Sequence, residues 1–335
     1  MKKLLLLFVI ALLAVGAALY LGIIPERFQD SVNVRAPDPV SQVVDVITRP
    51  RDTTAPEPEP PAVIYAKPPS APDEVASRDL PYITLRVIEG VMALNEEIVI
   101  PVALPQGNDN EITQYFLSQV NLAVDVIRRD IPEVFWLSFR PYSIEWSGFM
   151  ETREGTLTVS FIYRHTREEI SRLNAQMQNV IYSLVSAAPN DPLEAVTFFH
   201  DWIINNTAYA QYLPDGNPIG NEHGFNIDGV FLRGSAVCEG YSKAFKLLLD
   251  KAGVPNVIVF GEAGGENHSW NYVKLDGQWY LVDVTWNDPI GEEDVLLHTF
   301  FLLGNESLVD GVPVSEIFSP DDADYPVLSR TGFFE

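Results

Sequence analysis

The chain has 335 residues, 47% of them apolar, so it is long enough for two folded domains and apolar enough for a packed core. Its formal net charge at pH 7 is −24, and residues 186–335 alone hold 23 acidic against 6 basic side chains, a net of −17. This charge argues against binding to nucleic acid or to anionic lipid surfaces. It indicates a solvated acidic surface and, more weakly, a cationic or amine-bearing partner.

Residues 1–24 predict a membrane anchor. Lys2 and Lys3 precede an uncharged apolar run from Leu4 to Ile24, which is long enough to span a bilayer as a helix. The lysines favour an N-terminus on the inside, so we expect a single-pass protein of the cell membrane with its folded domains outside the cytoplasm. The alternative is a cleaved signal peptide and a secreted protein, although the apolar run continues past the small residues within it.

Residues 25–79 predict a disordered linker, because they hold 11 of the 25 prolines. A segment of this composition cannot bury a core. We therefore expect an extended spacer that holds the folded part away from the membrane or within a cell wall.

Residues 80–185 predict a smaller α+β accessory domain. Runs rich in β-branched residues predict strands, and helical periodicity predicts helices. The predicted strands are 83–88, 97–102, 142–146 and 156–163; the predicted helices are 110–129 and one that follows the capping box Thr166–Glu169 as far as about residue 185. The segment shows no motif with chemistry, and His165 has no evident partner, so we expect a scaffold or substrate-positioning role.

Asp191-Pro192 predicts the start of another helix, with an N-cap aspartate and a proline at the first helical position. His200 and Asp201 are consecutive in this helix, so they are expected to point in different directions and to be structural. His223 lies in a loop rich in Gly, Pro and Asn, where a solvated side chain is favoured over one that lines a substrate groove. No His, Asp and Glu have the spacing of a zinc site, so we predict neither a metal nor a cofactor.

The only cysteine, Cys238, is predicted to lie in the first turn of a helix. Ser235 is a plausible N-cap, and apolar residues at helical spacing follow as far as Gly253. The free amides and the positive end of a helix favour the thiolate over the thiol, which makes Cys238 a candidate nucleophile. The competing interpretation is a buried and inert cysteine.

The dipeptide Asp276-Gly277 predicts a two-residue hairpin turn, in which Leu275 pairs with Gln278. In that register His268 and Asp283 share one face as diagonal neighbours, roughly 7–8 Å apart at the backbone. This separation allows a hydrogen bond from the imidazole to the carboxylate. A shift of the hairpin register by one residue would place the two side chains on opposite faces and remove this hydrogen bond.

Cys238, His268 and Asp283 thus occur in the order of a nucleophile, a base and a residue that orients the base. The motifs around them are Val237-Cys238-Glu239-Gly240-Tyr241, His268-Ser269-Trp270-Asn271, and Gly277-Gln278-Trp279-Tyr280 leading into Asp283-Val284-Thr285-Trp286-Asn287-Asp288. These motifs resemble the transglutaminase-like superfamily, and in particular its bacterial branch similar to the cytokinesis-protein transglutaminase/protease-like domain.

This resemblance covers about the last 150 residues and implies the role of each site residue. Cys238 is implied as the nucleophile, His268 as the general base and acid, and Asp283 as the orienting residue. Relatives carry an aromatic residue some ten positions before the cysteine, where this chain has Ile227-Asp228. The Cys238 amide is therefore the only oxyanion donor that the resemblance assigns.

For residues 186–335 the resemblance implies an α+β fold of the papain-like or transglutaminase-core kind, with the cysteine helix packed on an antiparallel sheet. It implies a thiol acyl-transfer enzyme acting on protein or peptide amide bonds. With water as acceptor the enzyme is a peptidase or amidase, and with an amine it is a cross-linking transglutaminase.

Three aromatic residues, Trp270, Tyr241 and Trp286, are candidates for the wall of the substrate site. Trp270 shares the face of His268 and Asp283 in the proposed register, so it is placed to shield a thioester from water. The expected substrate is a protein or peptide. If the folded domains lie outside the membrane, components of the cell wall are among the substrates that they could reach. The alternative functions are a catalytically silent binding module of the same fold and a structural scaffold at the cell envelope.

Overall fold

The computed structural model describes residues 80–335, except for 138–141, 211–221, 290–295 and 322. The predicted anchor (1–24) and linker (25–79) lie outside the described residues. Within the ranges that the structure describes, no helix combines the length and the apolar character needed to cross a membrane.

Residues 82–187 form three helices and a three-stranded antiparallel sheet with the order β1-β3-β2. The elements are α1 (Tyr82–Met92), β1 (Glu97–Ala103), α2 (Asp109–Asp130), β2 (Ser143–Phe149), β3 (Glu154–Ser160) and α3 (Arg167–Ala187). The strands predicted at 97–102 and 142–146 and both predicted helices are confirmed. The strand predicted to reach residue 163 ends at Ser160.

The strand predicted over 83–88 was wrong, because these residues belong to helix α1. Its β-branched residues favour a strand locally. However, Ile83, Val87 and Val91 recur every four residues and are all buried. This spacing presents one apolar face of a helix to the core, and its burial outweighs the local propensity.

Residues 192–335 contain a five-stranded antiparallel sheet with the order β12-β6-β7-β8-β9. Before the sheet come α4 (Pro192–Asn206), β4 (Ala208–Tyr209), a 3₁₀ turn (Glu222–Phe225), a π-helical turn (Gly229–Arg233), β5 (Ser235–Ala236) and α5 (Cys238–Lys251). The later elements are β6 (Asn256–Ala263), β7 (Glu266–Leu275), β8 (Gln278–Val282), β9 (Phe301–Leu303), β10 (Leu308–Val309), β11 (Val312–Pro313), α6 (Val314–Ile317) and β12 (Phe318–Pro320). Helix α5 packs on β6 and β7, so the predicted α+β fold with a cysteine helix on an antiparallel sheet is confirmed.

The hairpin between β7 and β8 has the predicted register, with Leu275 opposite Gln278 and Asn271 opposite Val282. Asp276 and Gly277 have φ angles of 50° and 82°. Two consecutive residues in the left-handed region are typical of the turn that follows the right-handed twist of the strands. The dipeptide therefore fixes which residues of the two strands share a face.

The predicted boundary between residues 185 and 186 lies inside helix α3. One cluster of buried apolar residues includes Phe116 and Leu157 from the earlier segment and Phe199 and Phe245 from the later one. The division into an accessory domain (80–185) and a transglutaminase-like domain (186–335) stays a prediction.

Candidate active site

Cys238 is the first residue of α5, as predicted, and it is half-buried. The prediction that Ser235 caps this helix was wrong. Ser235 lies in β5, where it pairs with Ala208, and the residue at the cap position is Val237, which makes no side-chain cap. An apolar cap residue takes up none of the amide groups in the first turn, next to the sulfur.

The start of α5 is held against the 3₁₀ turn. The N–H of Val237 donates to the carbonyl oxygen of Gly224 at 2.8 Å. A Cβ atom at Gly240 would lie 2.3 Å from the same oxygen, so only glycine fits at this position. The close approach fixes where the helix begins and therefore where Cys238 lies.

His268 and Asp283 are joined by a hydrogen bond of 2.8 Å between Nε2 and Oδ2. His268 belongs to β7 and Asp283 directly follows β8, so the hairpin turn brings the two residues together. Asp283 is fully buried, and its second oxygen, Oδ1, accepts the N–H of Trp286 at 3.0 Å. Because both carboxylate oxygens have partners, the orientation of Asp283 is fixed.

Burial lowers the pKa of His268, but the charge and hydrogen bond of Asp283 and the hydrogen bond and charge of Cys238 raise it to about 10. The structure thus joins His268 to Asp283 and places Cys238 close enough to act on the imidazole of His268. An imidazole that keeps its proton at neutral pH stabilises a thiolate beside it. With a pKa of about 10, the imidazole of His268 keeps its proton at neutral pH.

Of the three residues predicted for the substrate-site wall, only Trp286 is partly exposed next to His268, and its role in the wall stays a prediction. This half-buried ring stacks on the imidazole of His268, with centroids 5.1 Å apart and planes at 28°. Trp270 and Tyr241 are fully buried, so they cannot face a substrate. Trp270 lies beneath His268 at a centroid distance of 6.1 Å, and the Tyr241 hydroxyl donates to Asp288 Oδ2 at 2.5 Å. These two residues support the site from the core.

Glu239, next to the nucleophile, is a buried carboxylate held by two cations. Arg128 of α2 binds it through Nε at 3.0 Å and Nη2 at 2.6 Å, and Lys243 Nζ lies at 2.8 Å. Burial raises the pKa of Glu239, but Lys243 and Arg128 outweigh burial and hold the pKa below its usual value. Arg128 could not be predicted as a partner of Glu239, because 111 residues separate the two and no motif marks the pair.

Two groups of three possible metal ligands occur among the described residues, although sequence spacing predicted neither. The first is His165, His223 and Asp228. Arg164 Nη2 lies 3.3 Å from His165 Nε2, 2.8 Å from His223 Nδ1 and 3.1 Å from Asp228 Oδ2. A guanidinium cation thus takes the place that a metal ion would need. The predictions that His165 lacks a partner and that His223 is simply solvated were wrong.

In the second group, His200 Nδ1 and His298 Nε2 both lie 2.8 Å from Asp201 Oδ1. The prediction that His200 and Asp201 point in different directions was therefore wrong. Asn287 Oδ1 accepts the N–H of Phe300 at 2.8 Å, so its Nδ2 must be the atom that donates to His200 Nε2 at 2.9 Å. His200 consequently carries its proton on Nδ1 and donates it to Asp201, and a metal would have to displace that proton.

The sequence also matches known proteins. The family model described as the transglutaminase-like superfamily matches residues 181–284. The Kyphoscoliosis peptidases of Mus musculus and Homo sapiens are each 28% identical to this chain over 142 residues. That alignment covers 39% of this chain and 21% of each relative, so the chain spans about a fifth of their length.

Solved structures show a more distant similarity. A crystal structure of a TGase is 15% identical, with a TM-score of 0.31 over 57% of this chain and 52% of that one. The periplasmic domain of TgpA from Pseudomonas aeruginosa is 18% identical, with a TM-score of 0.26 over 45% of this chain and 67% of that one. The match to the family model includes Cys238, His268 and Asp283. Residues 181–284 are therefore similar in sequence to the transglutaminase-like superfamily.

Proposed function

We propose that this protein is a thiol acyl-transfer enzyme that acts on amide bonds of proteins or peptides. Cys238 is the nucleophile, His268 the general base and acid, and Asp283 the residue that orients the imidazole. The observation that carries the proposal is the hydrogen bond between His268 and Asp283, next to a Cys238 that helps to raise the pKa of His268 to about 10.

The reaction begins when the Cys238 thiolate attacks the carbonyl carbon of an amide and forms a carbon–sulfur bond. The Cys238 amide, in the first helical turn, is placed to donate to the oxyanion. Asp283 binds Nε2 of His268 and so leaves Nδ1 for the sulfur and the leaving group. His268 gives its proton to the departing amine, the carbon–nitrogen bond breaks, and a thioester remains.

The acceptor decides the outcome of the second half-reaction. His268 removes a proton from water or from an amine, which attacks the thioester and releases the Cys238 sulfur. Water gives a peptidase or amidase, and an amine gives a transglutaminase. We favour hydrolysis, because water outnumbers any amine in the extracytoplasmic location that we propose for the folded domains.

The test incubates the protein with a glutamine-bearing protein, with and without a fluorescent primary amine. Cleavage or deamidation that vanishes in Cys238→Ala, without amine incorporation, supports the hydrolase. Incorporation that depends on Cys238 supports the transferase instead. Absence of all three products, together with a thiol that iodoacetamide does not alkylate near neutral pH, contradicts the enzyme proposal.

The proposed location has a separate test. Protease treatment of intact cells should release the folded domains if residues 1–24 anchor them outside the cytoplasm. Protection of these domains together with a cytoplasmic marker would contradict the location without affecting the chemistry.

A further inference from the structure

Asn287 is a fully buried residue that closes the turn carrying Asp283. Its side-chain Oδ1 accepts the N–H of Phe300 at 2.8 Å, and its own N–H donates to the carbonyl oxygen of Asp283 at 3.2 Å. The N–H of Asp283 in turn donates to the carbonyl oxygen of Phe300 at 2.9 Å. These three bonds form a closed loop, so a displacement of the Asn287 amide moves the backbone of Asp283.

The remaining polar atom of the Asn287 side chain binds His200, which is also fully buried. Burial lowers the pKa of His200, although the hydrogen bond and charge of Asp201 oppose this. A neutral His200 accepts from Asn287 at Nε2 and donates to Asp201 at Nδ1. A chain of hydrogen bonds therefore runs from the half-exposed Asp201 through His200 and Asn287 to the turn of Asp283.

The imidazole of His200 is held in place by its neighbours. Its ring lies edge-to-face against Phe301 at a centroid distance of 4.7 Å and stacks on His298 at 4.9 Å. A buried polar side chain with fixed partners at both nitrogens restricts the group that it binds. The hydrogen bond to His200, a residue of α4, therefore holds the Asn287 side chain in one position.

We propose that His200 and Asn287 are positioning residues, which hold the Asp283 carboxylate against the ring of His268. This inference deepens the proposed function and rests on it, because it concerns how the base of Cys238 is oriented. Neither residue touches the sulfur; each acts through Asp283. Sequence alone did not reveal the pair, since 87 residues separate His200 from Asn287.

Two substitutions at one position separate positioning from packing. In His200→Gln the side-chain amide reaches the place of Nε2, so its oxygen still accepts from Asn287. In His200→Asn the amide reaches only the place of Nδ1, so the bond to Asp201 is kept and the bond to Asn287 is lost. Both variants remove the same ring from the core. Tyr182→Ala, which removes an exposed ring of α3 outside this hydrogen-bond chain, is the control.

The readouts are the titration of the His268 ring by NMR and the rate of Cys238 alkylation by iodoacetamide as a function of pH. We expect His200→Asn to lower the pKa of His268 by at least about one unit, a tenfold change in its protonation equilibrium. His200→Gln and Tyr182→Ala should keep the wild-type titration. Equal shifts in the two His200 variants, or no shift in either, would overturn the proposal.

A measurement on the wild-type protein tests the inference even if the variants do not fold. The ¹⁵N shifts of His200 should show a protonated Nδ1 and an unprotonated Nε2, and the opposite tautomer would contradict it. The His268 titration does not depend on turnover. An unreactive Cys238 in a protein with the expected titration would therefore overturn the enzyme proposal and leave the positioning role intact.

Discussion

At the scale of single residues, the chemistry depends on a buried carboxylate that keeps one imidazole protonated. Asp283 has no exposed surface, so its charge acts on His268 with little screening by solvent. The orientation of the ring follows from the bond to Nε2. Asp283 thus both supplies the negative charge and sets the orientation of the His268 ring. A variant that removes only the charge separates these two effects.

Asp283→Asn keeps the shape of the side chain and removes its charge. We expect the pKa of His268 to fall from about 10 towards its ordinary value, and alkylation of Cys238 at pH 6 to slow at least tenfold. The rate with iodoacetamide across pH measures this. Asp276→Asn, at the exposed hairpin turn, makes the same chemical change away from the site and should leave the rate unchanged. Equal rates in wild type and Asp283→Asn would contradict the ion pair.

The raised pKa of His268 also predicts how stability depends on pH. The folded-state pKa of about 10 lies above the unfolded value near 6.5, so this residue stabilises the fold fully below about pH 6.5. The contribution is lost as pH rises through about 10. We expect the free energy of unfolding to fall by up to a few kcal/mol more in wild type than in His268→Gln between pH 7 and 10. Parallel curves from chemical denaturation would show that the pair does not stabilise the fold.

Much of the site could be predicted at this scale because the His268–Asp283 pair is local. The turn at Asp276-Gly277 sets the register, and the register sets which side chains share a face. The burial of Trp270 and Tyr241 could not be predicted, because it depends on what packs over that face. Trp270, for example, lies against Phe318 of β12, whose place in the sheet order has no local signal.

At the scale of secondary structure, the hairpin turn is the element that carries the site geometry. Gly277 has a φ of 82°. A residue with a Cβ atom adopts this left-handed conformation at a cost of about 1–2 kcal/mol. Gly277→Ala should lower the free energy of unfolding by about that amount, as measured by urea denaturation. Gln278→Ala, at the neighbouring exposed position, should change it by less than about 0.5 kcal/mol. A similar small loss in both variants would mean that the turn conformation is not fixed.

The contact between α2 and α5 is the second element-scale feature with a measurable consequence. Arg128→Met keeps the apolar stem and leaves the buried Glu239 with Lys243 alone. Breaking a buried pair costs about 3–5 kcal/mol, and the remaining lysine reduces the expected loss to about 2 kcal/mol. Thermal or urea unfolding measures it.

The matched control is Arg86→Met, which removes an exposed ion pair with Glu89 in α1. Exposed pairs contribute about 0–1 kcal/mol, so this variant should be close to wild type. Equal losses of unfolding free energy in the two variants would show that the buried Glu239 pair stabilises the fold no more than an exposed ion pair.

Most helices and strands could be predicted where the local sequence contains a cap, a turn or a clear periodicity. The capping boxes of α2 and α3 begin at Asn108 and Thr166, and each places a glutamate three residues later. Helix α1 has no such cap, since its first residue follows Pro81, and its β-branched composition favours the wrong element. In that segment the deciding term is burial against the rest of the core, which the local sequence does not contain.

At the scale of the whole molecule, arginines of the earlier segment bind acids of the later one. Arg128 pairs with Glu239, Arg129 with Asp321, and Arg164 with Asp228. The Arg164–Asp228 side chains are only 4% and 1% exposed. The acidic excess of residues 186–335 is thus partly neutralised inside the molecule, by residues that the sequence analysis treated as a scaffold.

These pairs predict that residues 186–335 do not fold well alone. The fragment would leave Asp228 without its arginine and would remove most of helix α3 from the shared core. We expect it to unfold without a cooperative transition, whereas residues 80–335 should show one sharp transition by circular dichroism. A fragment that melts cooperatively at the same temperature would show that the two predicted domains are independent.

The hairpin also bears on the order in which the molecule folds. His268 and Asp283 are only 15 residues apart, and the turn between them closes a very short loop. The contact of Arg128 with Glu239 closes a loop of 111 residues, and the contact of His200 with Asn287 closes one of 87. Short loops lose less chain entropy and form first. The base and its carboxylate therefore meet early in folding, and the nucleophile helix gains its charged neighbours only when the long-range contacts are made.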